Sequence, residues 1–566
     1  MPIRILGISG SAADSAACLM EDGVVVAAVE EERLTRIKHI GGFPKKSVDW
    51  ILKRIDSDPV KALRLVDHIA FHCDPRLYIS RRIPRFLMNL FRAPADNAFS
   101  ILDEIRKFAT LYRNQIKIPF SGKRVHLIEH HLNHAASAFY SEDWNEAAIL
   151  TMDYVGESTC TMTALGRGNR IEKIMEISFP HSLGALYSYI TQWLGFQPHS
   201  DEYKVMGLAP YGSPKLVDSF RRFVSLKNNG SYKIDLKQFD WWFKRYSTEQ
   251  TPFGKRFGPR RKDEPITSLH EDIAFAMQKV LEETVLHIAT HLKKRTGSER
   301  LCLAGGVALN CVSNGVLQRS GIFKEVSVCP ASHDAGLSIG AAMYLHHIIL
   351  NNDTPRAPIR DVYWGPEYSD KEIEEFFSEC KIKAKRSDNP SIEAAEAIAN
   401  GKVVGWFQGR EEFGPRALGS RSILADARKA EMKDIVNRCI KFREPFRPFA
   451  PACILEEAHK WFEIPEGAEL PFMLFVHPVR SEKRNLIPAI THVDGTARIQ
   501  TVSNKAHPRY RAMLEEFNQL TGVPMVLNTS FNVKGEPIVS SPADALRCFY
   551  STGMDRLVIG NFILDK

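Results

Sequence analysis

At 566 residues the chain is too long for one ordinary core, and two domains are expected. Hydrophobic residues make up 44% and charged residues 25%, which is the balance of a folded soluble chain and excludes a disordered one. The formal net charge of +8 suits an anionic small molecule or an acidic surface, and no Lys/Arg run interleaved with aromatics marks a nucleic-acid binder. The ten cysteines form no CxxC pair and sit mostly inside apolar runs, so they read as free thiols of a reducing cytoplasm. The N-terminal MPIRILGISG lacks the basic and apolar regions of a signal peptide, and no apolar run approaches the ~20 residues that span a bilayer. The expected location is therefore cytoplasmic, without stable membrane insertion.

In chain order, IRILGISGSAADSAACLMEDGVVVAAVEEER reads as a strand, a polar loop carrying Asp14, a second strand, the turn EDG and a third strand. The stretch Tyr78 to Phe99 mixes arginines with Phe, Leu and Met. It reads as a helix packed on its domain with the guanidinium groups in water, rather than as a basic membrane-binding surface. RVHLIEH is a strand, and HLNHAASAFYSE is the helix after it. EAAILTMDYVGESTCTMTALGRGNRIEKIMEIS then repeats the opening unit, with Asp153 in the loop and GRGN at the turn. Such a repeat suggests two related halves facing a cleft, as in the actin, sugar-kinase and heat-shock ATPase architecture. ERLCLAGGVALNCVSNG places Gly305 and Gly306 at a strand end before a helix, where backbone N–H groups and the helix terminus can receive an anion. EVSVCPASHDAGLSIGAAMY ends a strand in a loop with His333 and Asp334.

Three histidines fall within EHHLNHAASAFY. His130 and His134 are four apart and share one face of a helix, while His131 points elsewhere. Two imidazoles at that spacing can chelate a divalent ion, and Asp153 and Asp334, each ending an apolar run, are the carboxylates to complete the set. Two His and two carboxylates with open positions suit Fe2+, Mn2+ or Zn2+.

Near Asn351 the chain becomes rich in Pro, Asn and Asp and reads as a linker. Beyond it lie GREEFGPRALGSRSILADAR, KFREPFRPFAPA, THVDGTARIQTV and VLNTSFNVKGEPIV. They set Arg410, Arg416, Arg421, Lys441, Arg443, Arg447 and Arg498 in Gly/Pro-rich connections, where bidentate capture of phosphate or carboxylate is the usual role. Some of these arginines should instead staple loops to carbonyl groups, Arg443 first among them. Asn528, Ser530 and Asn532 add neutral hydrogen-bonding groups at a strand end. The residues alone support a second site for a phosphate-bearing polyanion.

EEERLTRIKH, HHLNHAASAF, DEYKVMGLAPYG, LAGGVALN, FGPRALGSRSILAD, FREPFRPFAP, THVDGTARIQTV and LNTSFNVKGEPIV together resemble the NodU/CmcH-type O-carbamoyltransferases, which carbamoylate antibiotics, Nod factors and saccharides. The resemblance implies an α/β chain with a duplicated, actin/sugar-kinase-like (ASKHA) domain over residues 1–355, similar to the tRNA threonylcarbamoyl transferase. A YrdC-like α/β domain follows over 356–566. It also implies that the C-terminal domain makes carbamoyl-adenylate from carbamoyl phosphate and ATP, with Mg2+ accompanying the nucleotide, and that the N-terminal domain passes the carbamoyl group to a hydroxyl of a sugar-containing or natural-product acceptor.

By motif, the family's metal ligands fall on His130, His134, Asp153 and Asp334. Contacts to carbamoyl phosphate and adenylate fall on Arg416, Lys441, Arg447, Arg498, Asn528 and Ser530. Lys38 matches the lysine near the carbamoyl group, and Gly305, Gly306 and Asn310 match the nucleotide loop of the first domain. Lys38, His134, Asp153 and Arg447 are thus the expected catalytic residues. Two departures touch the acceptor side: Ala13 stands where relatives carry histidine before the aspartate, and Tyr154 replaces a glycine. Carbamoyl transfer to an amine or a tRNA base, or a non-catalytic nucleotide-binding protein, are the alternatives. No basic tRNA-binding tail is present. Neither the acceptor nor the oligomeric state is set by the sequence, a dimer included among the possibilities.

Overall fold

A computed structural model describes every residue except 1, 11–12, 78–79, 81–119, 121, 240–247 and 263. Most of the arginine-rich stretch 78–99 therefore lies outside the described residues. The chain forms two compact units. One comprises Met1–Glu31 and His39–Pro358, and the other Glu32–Lys38 and Ile359–Lys566.

Among its described residues the first unit holds two five-stranded sheets with one topology. Strands β1 (Arg4–Ser9), β2 (Ala16–Glu21) and β3 (Val24–Glu30) form an antiparallel meander. Strands β4 (His68–Phe71) and β5 (Arg124–Leu127) extend the sheet parallel to β1, giving the order β3-β2-β1-β4-β5. Asp22 and Gly23 both take positive φ in the β2–β3 turn, as a two-residue hairpin with right-handed twist demands. The second sheet repeats the plan with β6 (Glu146–Met152), β7 (Thr159–Arg167) and β8 (Arg170–Ser178) as the meander. A separate hairpin, β9 (Val224–Leu226) with β10 (Tyr232–Ile234), intervenes before β11 (Arg300–Ala304) and β12 (Glu325–Val328). The order is β12-β11-β6-β7-β8. This is the duplicated α/β architecture expected from the repeated strand–acid loop–strand–turn–strand pattern.

Leu6, Ile8, Ala17 and Leu19 of the first sheet pack with Ile51 and Leu52 of the helix Lys45–Ile55. Strand β1 is buried along nearly its whole length, which is why its sequence runs apolar rather than alternating. The helix Leu337–Tyr344 is built of small and apolar residues, LSIGAAMY. A Cβ on Gly340 would lie 2.0 Å from the carbonyl oxygen of Asn133, so only glycine lets this helix meet the helix His130–Phe139 backbone to backbone. That close approach sets Asp334, at the head of one helix, beside the histidines of the other.

The second unit contains β13 (Lys385–Arg386), β14 (Val404–Phe407), β15 (Arg421–Ala425), β16 (Ala450–Ile454), β17 (Val476–Pro478), β18 (Thr496–Arg498), β19 (Gln500–Val502), β20 (Met525–Ser530), β21 (Arg556–Ile559) and β22 (Phe562–Asp565). Eight of them form a mixed sheet in the order β13-β22-β21-β14-β15-β20-β16-β19, and β17 pairs with β18 alone. Trp406, Ile423, Leu424, Val526 and Leu527 are fully buried at its centre. The Arg/Gly/Pro motifs enter and leave these central strands: residues 408–420 join β14 to β15, and residues 531–539 follow β20. Among the described residues no helix is long and apolar enough to cross a membrane.

Candidate metal centre and polyanion site

The helix His130–Phe139 opens on a carboxylate from another element. Both oxygens of Glu157, in the loop after β6, lie 3.2 Å from the His130 N–H, and one accepts the Asp74 N–H at 2.9 Å. A carboxylate there satisfies an otherwise orphaned helix N–H and faces the positive end of the helix dipole. Burial pushes the Glu157 carboxyl up, against the pull of His130 and the Asp74 N–H. A side chain at 156 is impossible without rearrangement, because a Cβ on Gly156 would come within 2.8 Å of the His130 Cβ.

One turn of helix puts both imidazoles on the same acid. Nε2 of His130 is 3.1 Å, and Nε2 of His134 is 3.0 Å, from Oδ2 of Asp153, and each is 3.8 Å from Oδ1 of Asp334. The ligand atoms of all four residues lie within 4.8 Å of one another. The other oxygen of Asp153 accepts the Tyr154 N–H at 2.7 Å, which orients the carboxylate. First-row divalent ions bind such donors at about 2.0–2.2 Å, so ligands at right angles sit about 3 Å apart. The spacing and the donor set of two imidazoles and two carboxylates fit such an ion.

The electrostatics agree with a shared charge. Burial disfavours charge on His130, yet the hydrogen bond to Asp153 and the fields of Asp334 and Glu157 raise it to about 9. Burial outweighs Asp153 at His134 and, with the neighbouring His130, lowers it to about 4. Burial also opposes charge on Asp153, but the two imidazoles hold its carboxyl well below the usual range. His131 points to the opposite side, with Nδ1 2.7 Å from Thr151 Oγ1 and Nε2 2.8 Å from the Thr159 carbonyl.

Neighbours that spacing does not disclose complete the surroundings. His72, just beyond β4, accepts the Gly10 N–H at 3.2 Å, and its ring centroid lies 6.3 Å from that of His130. Burial, aided by His130 and His134, lowers His72 to about 3. Asp14 carries a histidine after all: Nδ1 of His39 is 2.7 Å from its Oδ1, although Ala13 occupies the preceding position. Ser15 fastens the two loops, donating from its N–H to the Ile40 carbonyl and from its hydroxyl to the Gly42 carbonyl. Gly305 and Gly306 lie against the Asp153 end of β6, where a Cβ on Gly306 would sit 3.0 Å from Asp153 Oδ1. Asn310 exchanges hydrogen bonds with Gln278 at 2.9 and 3.1 Å and caps the helix Cys311–Arg319 through the Ser313 N–H.

In the second unit Lys441 is 4% exposed, and its ammonium donates to the carbonyl and hydroxyl of Ser530 and to the carbonyl and Oδ1 of Asn532. Burial, with Arg443, Arg447 and Lys38 nearby, holds this ammonium well below the ordinary lysine range. Arg447 is 3.8 Å from Glu444. Asn528 is buried and donates to the Ala417 carbonyl and to Gln500 Oε1, so it fixes the loop that bears Arg416. Arg498 lies at the end of β18, and Arg416 stands in the β14–β15 connection. Three other arginines are staples. Arg421 is fully buried, donates to the carbonyls of Pro366, Gln408, Gly409 and Ser420, and stacks 3.6 Å from the Phe407 ring centre. Arg410 donates to the carbonyls of Trp364 and Gly365. Arg443 donates to Asn437 and the Pro448 carbonyl over the Phe449 ring.

The family description "Carbamoyltransferase N-terminus" matches residues 4–343 and "Carbamoyltransferase C-terminus" matches 395–566. An uncharacterized protein of Synechocystis sp. is 42% identical over 100% of this chain and 97% of its own length. Nodulation protein NolNO of Sinorhizobium fredii is 42% identical, covering 98% of this chain and 79% of its own. Nodulation protein NolO of Bradyrhizobium diazoefficiens is 43% identical over 78% of this chain and 79% of its own. With both halves of the family present in order, and relatives this similar along nearly the whole length, the chain belongs to the carbamoyltransferase family.

Proposed function

We propose that this carbamoyltransferase works in two stages. Residues 356–566, a YrdC-like domain, make carbamoyl-adenylate, and residues 1–355 pass the carbamoyl group to a hydroxyl of a saccharide or related small molecule. In the first stage water releases phosphate from carbamoyl phosphate, the carbamate oxygen attacks the α-phosphorus of Mg2+-bound ATP, and pyrophosphate leaves. Lys441, held by Ser530 and Asn532, with Arg416, Arg447 and Arg498, supplies fixed cations for the charge that gathers on the departing phosphates. In the second stage the acceptor oxygen bonds to the carbamoyl carbon, AMP leaves, and the hydroxyl proton passes to a base. The His39–Asp14 pair offers that base, with Nδ1 of His39 held against Asp14.

His130, His134, Asp153 and Asp334 would hold a divalent ion, Fe2+ before Mn2+ or Zn2+. Such an ion supplies a Lewis acid for phosphate or carbonyl oxygen and lowers the pKa of an alcohol. The free cysteines suit a reducing cytoplasm. The resemblance to enzymes that carbamoylate Nod factors and saccharides, with nodulation proteins among the relatives, favours a saccharide acceptor over an amine or tRNA.

The observation that carries this reading is the convergence of the four donor side chains within 4.8 Å in a chain of this family. The test of the adenylating half is release of pyrophosphate from ATP that depends on carbamoyl phosphate. Wild-type protein should show it, and Arg447→Ala should abolish it. Normal release in that variant would refute the assignment of the C-terminal site.

A further inference from the structure

The last helical turn of the first unit carries two adjacent histidines. Leu345–Ile349, LHHII, continues the helix Leu337–Tyr344 as a single π-helical turn. Such turns are rare and gather at functional positions. His346 is 0% and His347 2% exposed. Among the described residues neither ring nitrogen of His346, nor Nδ1 of His347, nor the buried Tyr140 hydroxyl has a hydrogen-bond partner. Native folds seldom leave buried polar atoms in that condition, and here four lie together.

Each ring is wedged against a different part of the unit. The His346 ring lies on the β2–β3 turn of the first sheet, where a Cβ on Gly23 would come within 2.9 Å of its Nε2. The His347 ring stacks on Tyr140, just past the helix His130–Phe139, with 4.4 Å between centroids. The two imidazoles meet edge to face at 4.8 Å. Arg356 fastens the far end. It donates to the carbonyls of Trp144, before β6, and Gly168, in the β7–β8 turn, and spreads over the Phe139 and Tyr140 rings. Asn169 of the same turn donates to the Asn352 carbonyl. Residues 345–356 therefore bridge the turn of the first sheet to the second sheet.

This bridge suits neutral imidazoles. Protonation gives each ring a second N–H donor and sets two cations side by side, with the Arg356 guanidinium beside His347. Asp22, in the β2–β3 turn, is the carboxylate that favours the charge, and it bears on His346. Asp143 bears on Arg356, while burial keeps Tyr140, Tyr344 and Cys302 neutral. Burial, with His346 and Arg356, lowers His347 to about 4 against the Asn352 backbone, and burial lowers His346 against Asp22. A histidine lowered by folding supports the fold above its ordinary 6.5 and withdraws that support as the pH falls toward the folded value. A segment at the end of a unit can then open without global unfolding.

We propose that His346 and His347 form an acid-sensitive clasp: neutral, they pin residues 345–356 across both sheets of the first unit, and on protonation the segment lets go while the sheets stay folded. The clasp also anchors the far end of the helix whose head bears Asp334. It does not rest on the two-stage reading.

Hydrogen exchange of full-length protein, read by mass spectrometry near pH 7.5 and about pH 5.5 and corrected for the chemical exchange rate, tests the clasp. Peptides within 345–356 should lose about tenfold in protection at the lower pH, the fold-change expected of one such histidine. Peptides of β1 and β6 should keep theirs. The double variant His346→Leu, His347→Phe keeps apolar bulk against Gly23 and Tyr140 and should show no acid response. Asp22→Asn retains an oxygen for the Ile3 N–H but removes the carboxylate, and should move the opening to higher pH. It decides the matter alone if the double variant does not fold. Equal protection at both pH values, a loss spread evenly over the unit, an acid response kept by the double variant, or an Asp22→Asn midpoint unmoved or lowered would each overturn the proposal.

Discussion

His131 and His134 share a helix and do opposite work. His134 turns its Nε2 to Asp153, whereas His131 spends both ring nitrogens on Thr151 and the Thr159 carbonyl. His134→Ala should therefore lower metal content and stop carbamoyl transfer while carbamoyl phosphate-dependent pyrophosphate release continues. His131→Ala should keep metal binding and lower unfolding stability by about 1–3 kcal/mol, the penalty for leaving two buried partners unsatisfied. Metal analysis and denaturant unfolding of the two variants check the pair; equal metal loss in both would contradict it. The division was legible in the sequence because helical periodicity places 130 and 134 on one face and 131 on another. Glu157 and His72 were not legible in that way, since each reaches the helix from a different loop and no local pattern reports that reach.

Among the elements, the strands and turns of the first unit could be read from apolar runs punctuated by Asp-Gly and Gly-containing turns, and their repetition predicted a duplicated plan. The Arg/Gly/Pro connections of the second unit could be read only as charge. Sequence shows that Arg421 is a cation in a polar loop; it does not show that four backbone carbonyls and the Phe407 face enclose it. That enclosure makes Arg421 a strut between the β14–β15 connection and the segment before the helix Asp370–Glu379, rather than a ligand for an incoming anion. Arg421→Met should cost more than about 3 kcal/mol of stability, because buried carbonyls lose their donor. The remaining folded protein should bind pyrophosphate within about twofold of wild type. A large loss of affinity without a fall in melting temperature would restore Arg421 to the ligand set. Lys441 is the contrasting case: its acceptors are the side chains and carbonyls of Ser530 and Asn532, which fix the ammonium at the end of β20.

For the whole molecule, the two sets of candidate site residues belong to different compact units, each with its own sheets and core. The boundary between them reads in sequence as a Pro/Asn/Asp-rich linker, but the loan of Glu32–Lys38 to the second unit does not, because a short helical stretch after β3 carries no signal of which core receives its arginines. Separate cores predict separable half-reactions. Protein treated with a transition-metal chelator, then returned to buffer containing Mg2+, should still release pyrophosphate at close to the untreated rate, since none of Lys441, Arg447 and Ser530 is among the four candidate ligands. Carbamoyl product should fall to background, because the imidazoles and carboxylates then pair with one another and no Lewis acid is present for the phosphate or carbonyl oxygen. Readdition of Fe2+, Mn2+ or Zn2+ should restore product without changing pyrophosphate release, and the ion that restores most at the lowest concentration identifies the native metal. Loss of both activities on chelation, both recovered by the same transition metal, would mean that one ion serves both stages and that the division of labour between the two units is wrong.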